Sequence, residues 1–178
     1  LVVAAAEAFR SAIDAAASGG PAAVERMRTL LGDLALMSAV DTDTAVVAED
    51  TFDPRVPMRD AMRAASAGDS PVHLVAEEPI HALPVIRSDV EKVALVLTRL
   101  LVRARDTATG GEVRATVGAT GARVEYRIPG AAGDDLAWRV AASVSRLLGA
   151  TLETESGPAG AITVLSFLAA PAGRTEAT

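Results

Sequence analysis

The sequence predicts an α+β protein: an N-terminal antiparallel helical hairpin over residues 1–42, then a two-layer α/β sandwich with a mixed sheet over residues 50–172. Three observations predict it. Two apolar stripes at four-and-three spacing are separated only by Gly19-Gly20-Pro21. An acidic stretch without helical period cuts them off from the remainder, where single helices alternate with pairs of short strands. The 178 residues are 50% hydrophobic and 22% charged, which is enough apolar material for a core. The chain has no cysteine, which excludes disulfides, thiolate–zinc sites and a cysteine nucleophile. A net charge of -6 repels polyanions, and no basic patch offsets it, so nucleic acid is not an expected partner.

In the first stripe Val2, Ala6, Phe9, Ile13 and Ala16 share one helical face, ending at Gly19-Gly20. In the second, Val24, Met27, Leu31, Leu34 and Met37 repeat the spacing, with Pro21 in the first turn and Glu25, Arg26, Arg28 and Asp33 on the other side. One hairpin cannot cover both stripes. Pairing with a second copy in a four-helix bundle does so, with Phe9, Ile13, Met27, Leu31, Leu34 and Met37 as the dimer interface; packing on the rest of the chain is the other solution.

Residues 41 to 53 read as an acidic linker, and Asp53-Pro54 as a cap followed by proline at the first position of a helix to residue 67. Strands follow at Val72 to Val75 and about Ala82 to Ile86. Ser88-Asp89-Val90-Glu91 then spells a capping box. Its helix runs to Asp106 with a broad apolar face through Val93, Leu97, Leu100, Leu101 and Ala104. Glu112 to Gly118 and Arg123 to Ile128 alternate as a hairpin, Pro129 to Gly133 is a short loop, and Asp134 to Leu148 is a helix closed by Gly149. Ala150 to Glu155 and Ile162 to Leu168 form a last hairpin, and the tail beyond Pro171 should fray.

This order of elements, with several stretches, resembles the core of bacterial sensor histidine kinases: a dimerising hairpin followed by a kinase-type ATPase domain of the GHKL superfamily. PAAVERMRTLLGDLALMSAVD is similar to the second dimerisation helix and FDPRVPMRDAMRAA to the lead into the ATPase domain. SDVEKVALVLTRLLVRARDTATGG is similar to the asparagine-bearing helix, and AASVSRLLGATLETESGPAGAITVLSFLAAP to the last helix and final strands. The resemblance implies a GHKL ATPase-like fold. It also implies positions for nucleotide chemistry, and there the chain departs. The metal-ligating asparagine and its neighbour fall near Arg99 and Arg103; arginine offers only donors and stays charged, so it opposes a magnesium ion.

The adenine-reading aspartate with its glycines corresponds to Ile128-Pro129-Gly130-Ala131-Ala132-Gly133, which keeps the glycines and lacks the acid. The phosphate-packing glycine turn corresponds to Gly133-Asp134-Asp135, whose carboxylates repel a triphosphate. Asp134 and Asp135 also suit the first turn of the helix they precede. The lid between these motifs is compressed to almost nothing. Dimeric histidine phosphotransferases with a degenerate ATPase-like domain depart in the same way, yet the first hairpin helix here has no histidine. A chain that opens on Leu1 already inside the helical stripe leaves room for one upstream.

His73 and His81 lie by the first strands and read as packed or surface residues. Ser143 and Ser145 have no histidine near them in sequence, Glu77-Glu78 read as solvated, and Trp138 as a core or interface anchor. Arg99 and Arg103, at i and i+4, can bind an anion or an acidic partner surface, or be neutralised by acids such as Asp134 and Asp135. No catalytic residue, metal ligand or cofactor is expected. Gly130, Gly133, Asp134 and Asp135 are a remnant nucleotide loop.

The expected function is a two-component-type module: a homodimeric pseudo-histidine-kinase that binds a response-regulator receiver or a kinase partner without ATP-dependent catalysis. The alternatives are a histidine phosphotransferase whose histidine lies upstream of Leu1, and an atypical ATP-dependent histidine kinase. No apolar run reaches the roughly 18 to 20 residues of a membrane span, and Glu7 and Arg10 interrupt the N-terminal apolar stretch. Cytoplasmic localisation without direct membrane insertion follows as the expectation.

Overall fold

The computed structural model describes residues 13, 21–67, 70–157 and 160–171. The first hairpin helix, with Phe9, lies outside the described residues except for Ile13, which is helical. Helix α1 (Pro21–Asp41) is the second hairpin helix. It ends where Asp43 takes a left-handed backbone, φ 54°, while the N–H groups of Thr44 and Ala45 close on the Ala39 carbonyl. No helix among the described residues is long and apolar enough to cross a membrane.

The acidic linker contributes a strand, β1 (Asp50–Phe52). Helix α2 (Arg55–Ala65) follows one residue later than expected, with Pro54 at the cap and the Asp53 carboxylate accepting the Arg55 N–H at 2.9 Å. Strand β2 (Val72–Glu77) joins the main sheet, but the next strand is β3 (Ile86–Ser88), shifted from the expected 82–86. Pro84 removes a ladder donor from that stretch. β3 pairs antiparallel with β1 in a separate two-stranded ribbon, fastened to the end of the last strand by an Ile86–Ala169 bridge.

Helix α3 (Val90–Thr107) starts at Asp89, not Ser88. Asp89 is 4% exposed, and its carboxylate accepts the Lys92 N–H at 2.9 Å, the Lys92 ammonium at 2.6 Å and the Ala48 N–H at 3.0 Å. Ser88 lost the cap because only the Asp89 side chain reaches both the helix and the linker. Strands β4 (Gly111–Thr120) and β5 (Arg123–Pro129) form the expected hairpin, turning at Gly121 with φ 62°. Helix α4 (Leu136–Leu147) and strands β6 (Thr151–Gly157) and β7 (Gly160–Leu168) complete the chain.

The five-stranded sheet has the order β2-β4-β5-β7-β6. Only the β2–β4 pair is parallel, so the sheet is mixed. α2, α3 and α4 cover one face of it. Val93, Val96, Leu97, Leu100 and Leu101 of α3 are buried against Val124, Tyr126 and Ile128 of β5 and Leu165 of β7. Tyr126 meets the Phe167 ring edge-on and donates its hydroxyl to the Pro54 carbonyl at 2.9 Å, so one core residue also holds the start of α2. Burial raises its pKa, with the Asp53 charge adding to the effect. The opposite face of the sheet carries ion pairs such as Glu77–Arg114 and Glu125–Arg127.

Asp89 supports both the linker and the helix that carries the site. Burial alone would raise its pKa, but the hydrogen bonds from Lys92 and Ala48 outweigh it and the pKa is lowered. A lowered carboxylate pKa adds stability above the unfolded value and loses it as pH falls through the folded one. Asp89→Ala is expected to cost about 2 kcal/mol at pH 7 in urea unfolding, with the gap to the parent chain closing below about pH 4.

Candidate functional site

α3 has two sides. The apolar side faces the sheet, and the other presents Arg99, Arg103 and Thr107 at successive four-residue steps. Each of the three reaches a different part of the chain. Arg99 donates from Nε at 3.0 Å and Nη2 at 2.6 Å to the same oxygen, Oδ1 of Asp33 on α1. Arg103 donates from Nε to the Ala132 carbonyl at 3.0 Å and forms an ion pair with Asp135. The Thr107 hydroxyl lies 2.9 Å from the Gly130 carbonyl and equally near the Arg103 carbonyl of its own helix.

The remnant loop is shaped around Arg103. Gly130 sits at φ 74° and donates its N–H to the Ala161 carbonyl at 2.9 Å, anchoring the loop to β7. At Gly133 an added Cβ would overlap the Arg103 guanidinium, so a larger residue there fits only if that side chain moves aside. Asp135 is the N-cap of α4: one carboxylate oxygen accepts the Trp138 N–H at 3.0 Å and the other faces Arg103. Asp134 is exposed, and its carbonyl accepts Arg139 Nε at 2.9 Å. Ala132, Gly133 and Asp135 therefore meet at the Arg103 guanidinium, whereas Gly130 is held by Ala161 and Thr107, and Asp134 faces solvent.

Asp33 was expected on the solvent side of α1 and is only 4% exposed. The reason is the packing of α1 on α4, with Leu30, Leu34 and Met37 in or against the core, which turns Asp33 inward onto Arg99. Burial raises the Asp33 pKa, and the charge and hydrogen bonds of Arg99 only partly offset this. The same packing divides the expected dimer seam. Met37 is 2% exposed and belongs to the chain's own core, and Leu34, partly buried, packs against that core. Met27 is half-buried. Leu31, Val24 and Ile13 remain open, at 50%, 59% and 47% exposure.

The donor set does not fit a magnesium ion. Two guanidiniums stand on the helix positions from which a metal would need oxygen ligands, and both are engaged with acids of the chain. His73 is exposed on β2 opposite Glu112, and His81, also exposed, offers its carbonyl to Arg55. Ser145 is buried and bonds the Ala141 carbonyl, Glu77 and Glu78 pair with Arg114 and Arg59, and Trp138 packs against the core.

Solved structures were compared with this architecture. The Acinetobacter baumannii histidine kinase AdeS superposes with a TM-score of 0.70 at 16% identity, over 93% of this chain and 95% of that one. The fold is that of a histidine kinase core. The cytoplasmic segment of histidine kinase QseC gives a TM-score of 0.58 at 16% identity, over 83% of this chain and 95% of that one. The ATP-binding domain of PrrB from Mycobacterium tuberculosis gives 0.57 at 17% identity, over 70% and 98%. No family model and no curated protein matches the sequence. At 16 to 17% identity these likenesses speak for the fold alone.

Arg99→Ala leaves the buried Asp33 carboxylate without its counter-charge, and a loss of about 3 kcal/mol at pH 7 is expected. The raised pKa fixes the sign. A carboxylate with a folded pKa above its unfolded value favours folding below the unfolded value, and that contribution is lost as pH rises through the folded pKa. The defect of the variant is therefore expected to shrink as pH is lowered towards about 4.5, read from urea midpoints at the two pH values.

Proposed function

We propose that this chain is a two-component-type signalling module: a homodimeric pseudo-histidine-kinase in the cytoplasm, whose ATPase-like unit binds a response-regulator receiver or a kinase partner without consuming ATP. The observation that carries the reading is the Arg103 guanidinium seated in the loop between β5 and α4, bonded to the Ala132 carbonyl and paired with Asp135. A triphosphate entering there would have to separate that ion pair while meeting the carboxylates of Asp134 and Asp135. A magnesium ion would meet Arg99 and Arg103 instead of oxygen ligands. The six residues from Gly130 to Asp135 span the whole distance from β5 to α4, which leaves no lid to close over a nucleotide.

The full chain is expected not to bind Mg-ATP in calorimetry. A dissociation constant at or below the order of tens of micromolar, roughly 6 to 7 kcal/mol of binding, would overturn the pseudokinase reading.

Dimerisation is supported by what the chain leaves uncovered. Val24 and Leu31 are seven residues apart on α1, both large, both at least half exposed, and Arg28 between them is exposed as well. Because Leu34 and Met37 are used inside the chain, the seam for a second copy runs along the Val24–Leu31 side. Leu31→Asp is expected to convert a sedimenting dimer into a monomer at concentrations on the order of tens of micromolar, and to lower Tm and remove its dependence on protein concentration. A parent chain that already sediments as a monomer under those conditions excludes the dimer.

A further inference from the structure

We infer that the arginine row of α3 is a staple that fixes helix α1 to the ATPase-like unit, so that the hairpin helix and the sheet domain of this chain move as one body. The inference stands on contacts alone and does not need the proposed partner or the absence of ATP binding.

Two helices that meet at a single apolar patch can pivot about it, because dispersion contacts have no direction. A second, directional tie away from that patch removes the pivot. α1 has both. Its apolar contact is with α4, through the side that carries Leu30, Leu34 and Met37. Its directional tie is to α3, through the two hydrogen bonds from Arg99 to Asp33. α3 and α4 pack on each other in turn, and Arg103 locks the start of α4 to α3 through Asp135 and the preceding loop through Ala132. The three helices thus close a triangle, each side held by contacts of its own.

The ion pair belongs to the interior of that triangle. The Asp33 and Arg99 side chains are 6% and 20% exposed, and an unpaired carboxylate buried to that degree is strongly disfavoured. Any swing of α1 that keeps Met37 buried but moves Asp33 off Arg99 leaves such a carboxylate behind. Rotations of α1 are restricted to the one at which the charges meet. On the far side, residues 42 to 49 connect α1 to β1, and Ala48 is pinned to Asp89 at the head of α3. The connection is therefore tied to the same helix at its other end.

The absence of cysteine makes the test direct. Spin labels are placed by Gly32→Cys, where a Cβ meets nothing within 4 Å, and by Thr120→Cys at the exposed tip of the β4–β5 hairpin. The doubly labelled full chain is diluted into an excess of unlabelled chain, so that only distances within one chain are read. Pulsed electron resonance is expected to give one narrow distance distribution. Arg99→Ala and Asp33→Asn are each expected to broaden it at least about two-fold while the circular-dichroism melt of the sheet domain persists, and the exchanged pair Asp33→Arg with Arg99→Asp is expected to narrow it again. A broad or bimodal distribution in the parent chain overturns the inference, as does a distribution equally narrow in both single variants. If Arg99→Ala fails to fold, Asp33→Asn, which keeps the side chain's shape and removes its charge, decides the matter.

Discussion

A guanidinium keeps its charge at any pH a protein survives, so wherever the chain places one away from water, something must answer it. α3 places two on the side turned away from the sheet, and the local structure follows from how they are met. Arg99 draws Asp33 inward and with it fixes the rotation of α1. Arg103 occupies the loop before α4, pairs with Asp135 at the helix cap, and lies where a Cβ on Gly133 would stand. In each case the guanidinium is spent on another part of the same chain.

The two pairs differ in what they contribute. Asp33 is buried enough for desolvation to outweigh its partner's charge, and its pKa is raised despite Arg99. Such a pair adds little to stability compared with an apolar pair of the same shape, while breaking it by removing one member is costly. Its physical contribution is selectivity among packings of α1. The Arg103–Asp135 pair is nearer the surface, with the acid side chain half exposed at 51%, so solvent weakens its energy. Asp135 has a second task as the cap of α4, and through it the orientation of α4 and the filling of the loop are coupled.

The fold tolerates this redeployment because the core does not depend on the site. The apolar side of α3 and the inner face of β5 and β7 form a continuous core that includes Tyr126, Leu97 and Leu165, to which Arg99, Arg103, Asp134 and Asp135 do not belong. The same architecture superposes on histidine kinase structures at 16 or 17% identity. Fold likeness at that level speaks for the backbone. What the chain does rests on its own residues.

The sequence by itself determined the hairpin helix, the order of helices and strand pairs, the mixed sheet and the broad apolar face of α3, because periodicity is a local record of which side of an element is buried. It also determined what Arg99, Arg103, Asp134 and Asp135 can do chemically, since residue type alone settles what a group can donate or accept. Only the tertiary structure decided which acid meets which arginine. Asp33 and Arg99 are 66 positions apart, and a single acid within a helical stripe reads as solvent-facing until a second surface is known to pack over it. The same holds for Met37 and Leu34, whose spacing fits a bundle seam and a contact within the chain equally well. The short β1–β3 ribbon was hidden for a related reason: three residues are too few to show alternation, and its pairing joins the linker to a segment on the far side of α2 and β2. Spacing along a chain reports which face of an element is apolar. Which surface comes to cover that face depends on packing between segments far apart in sequence, and that is fixed only when the whole chain has closed.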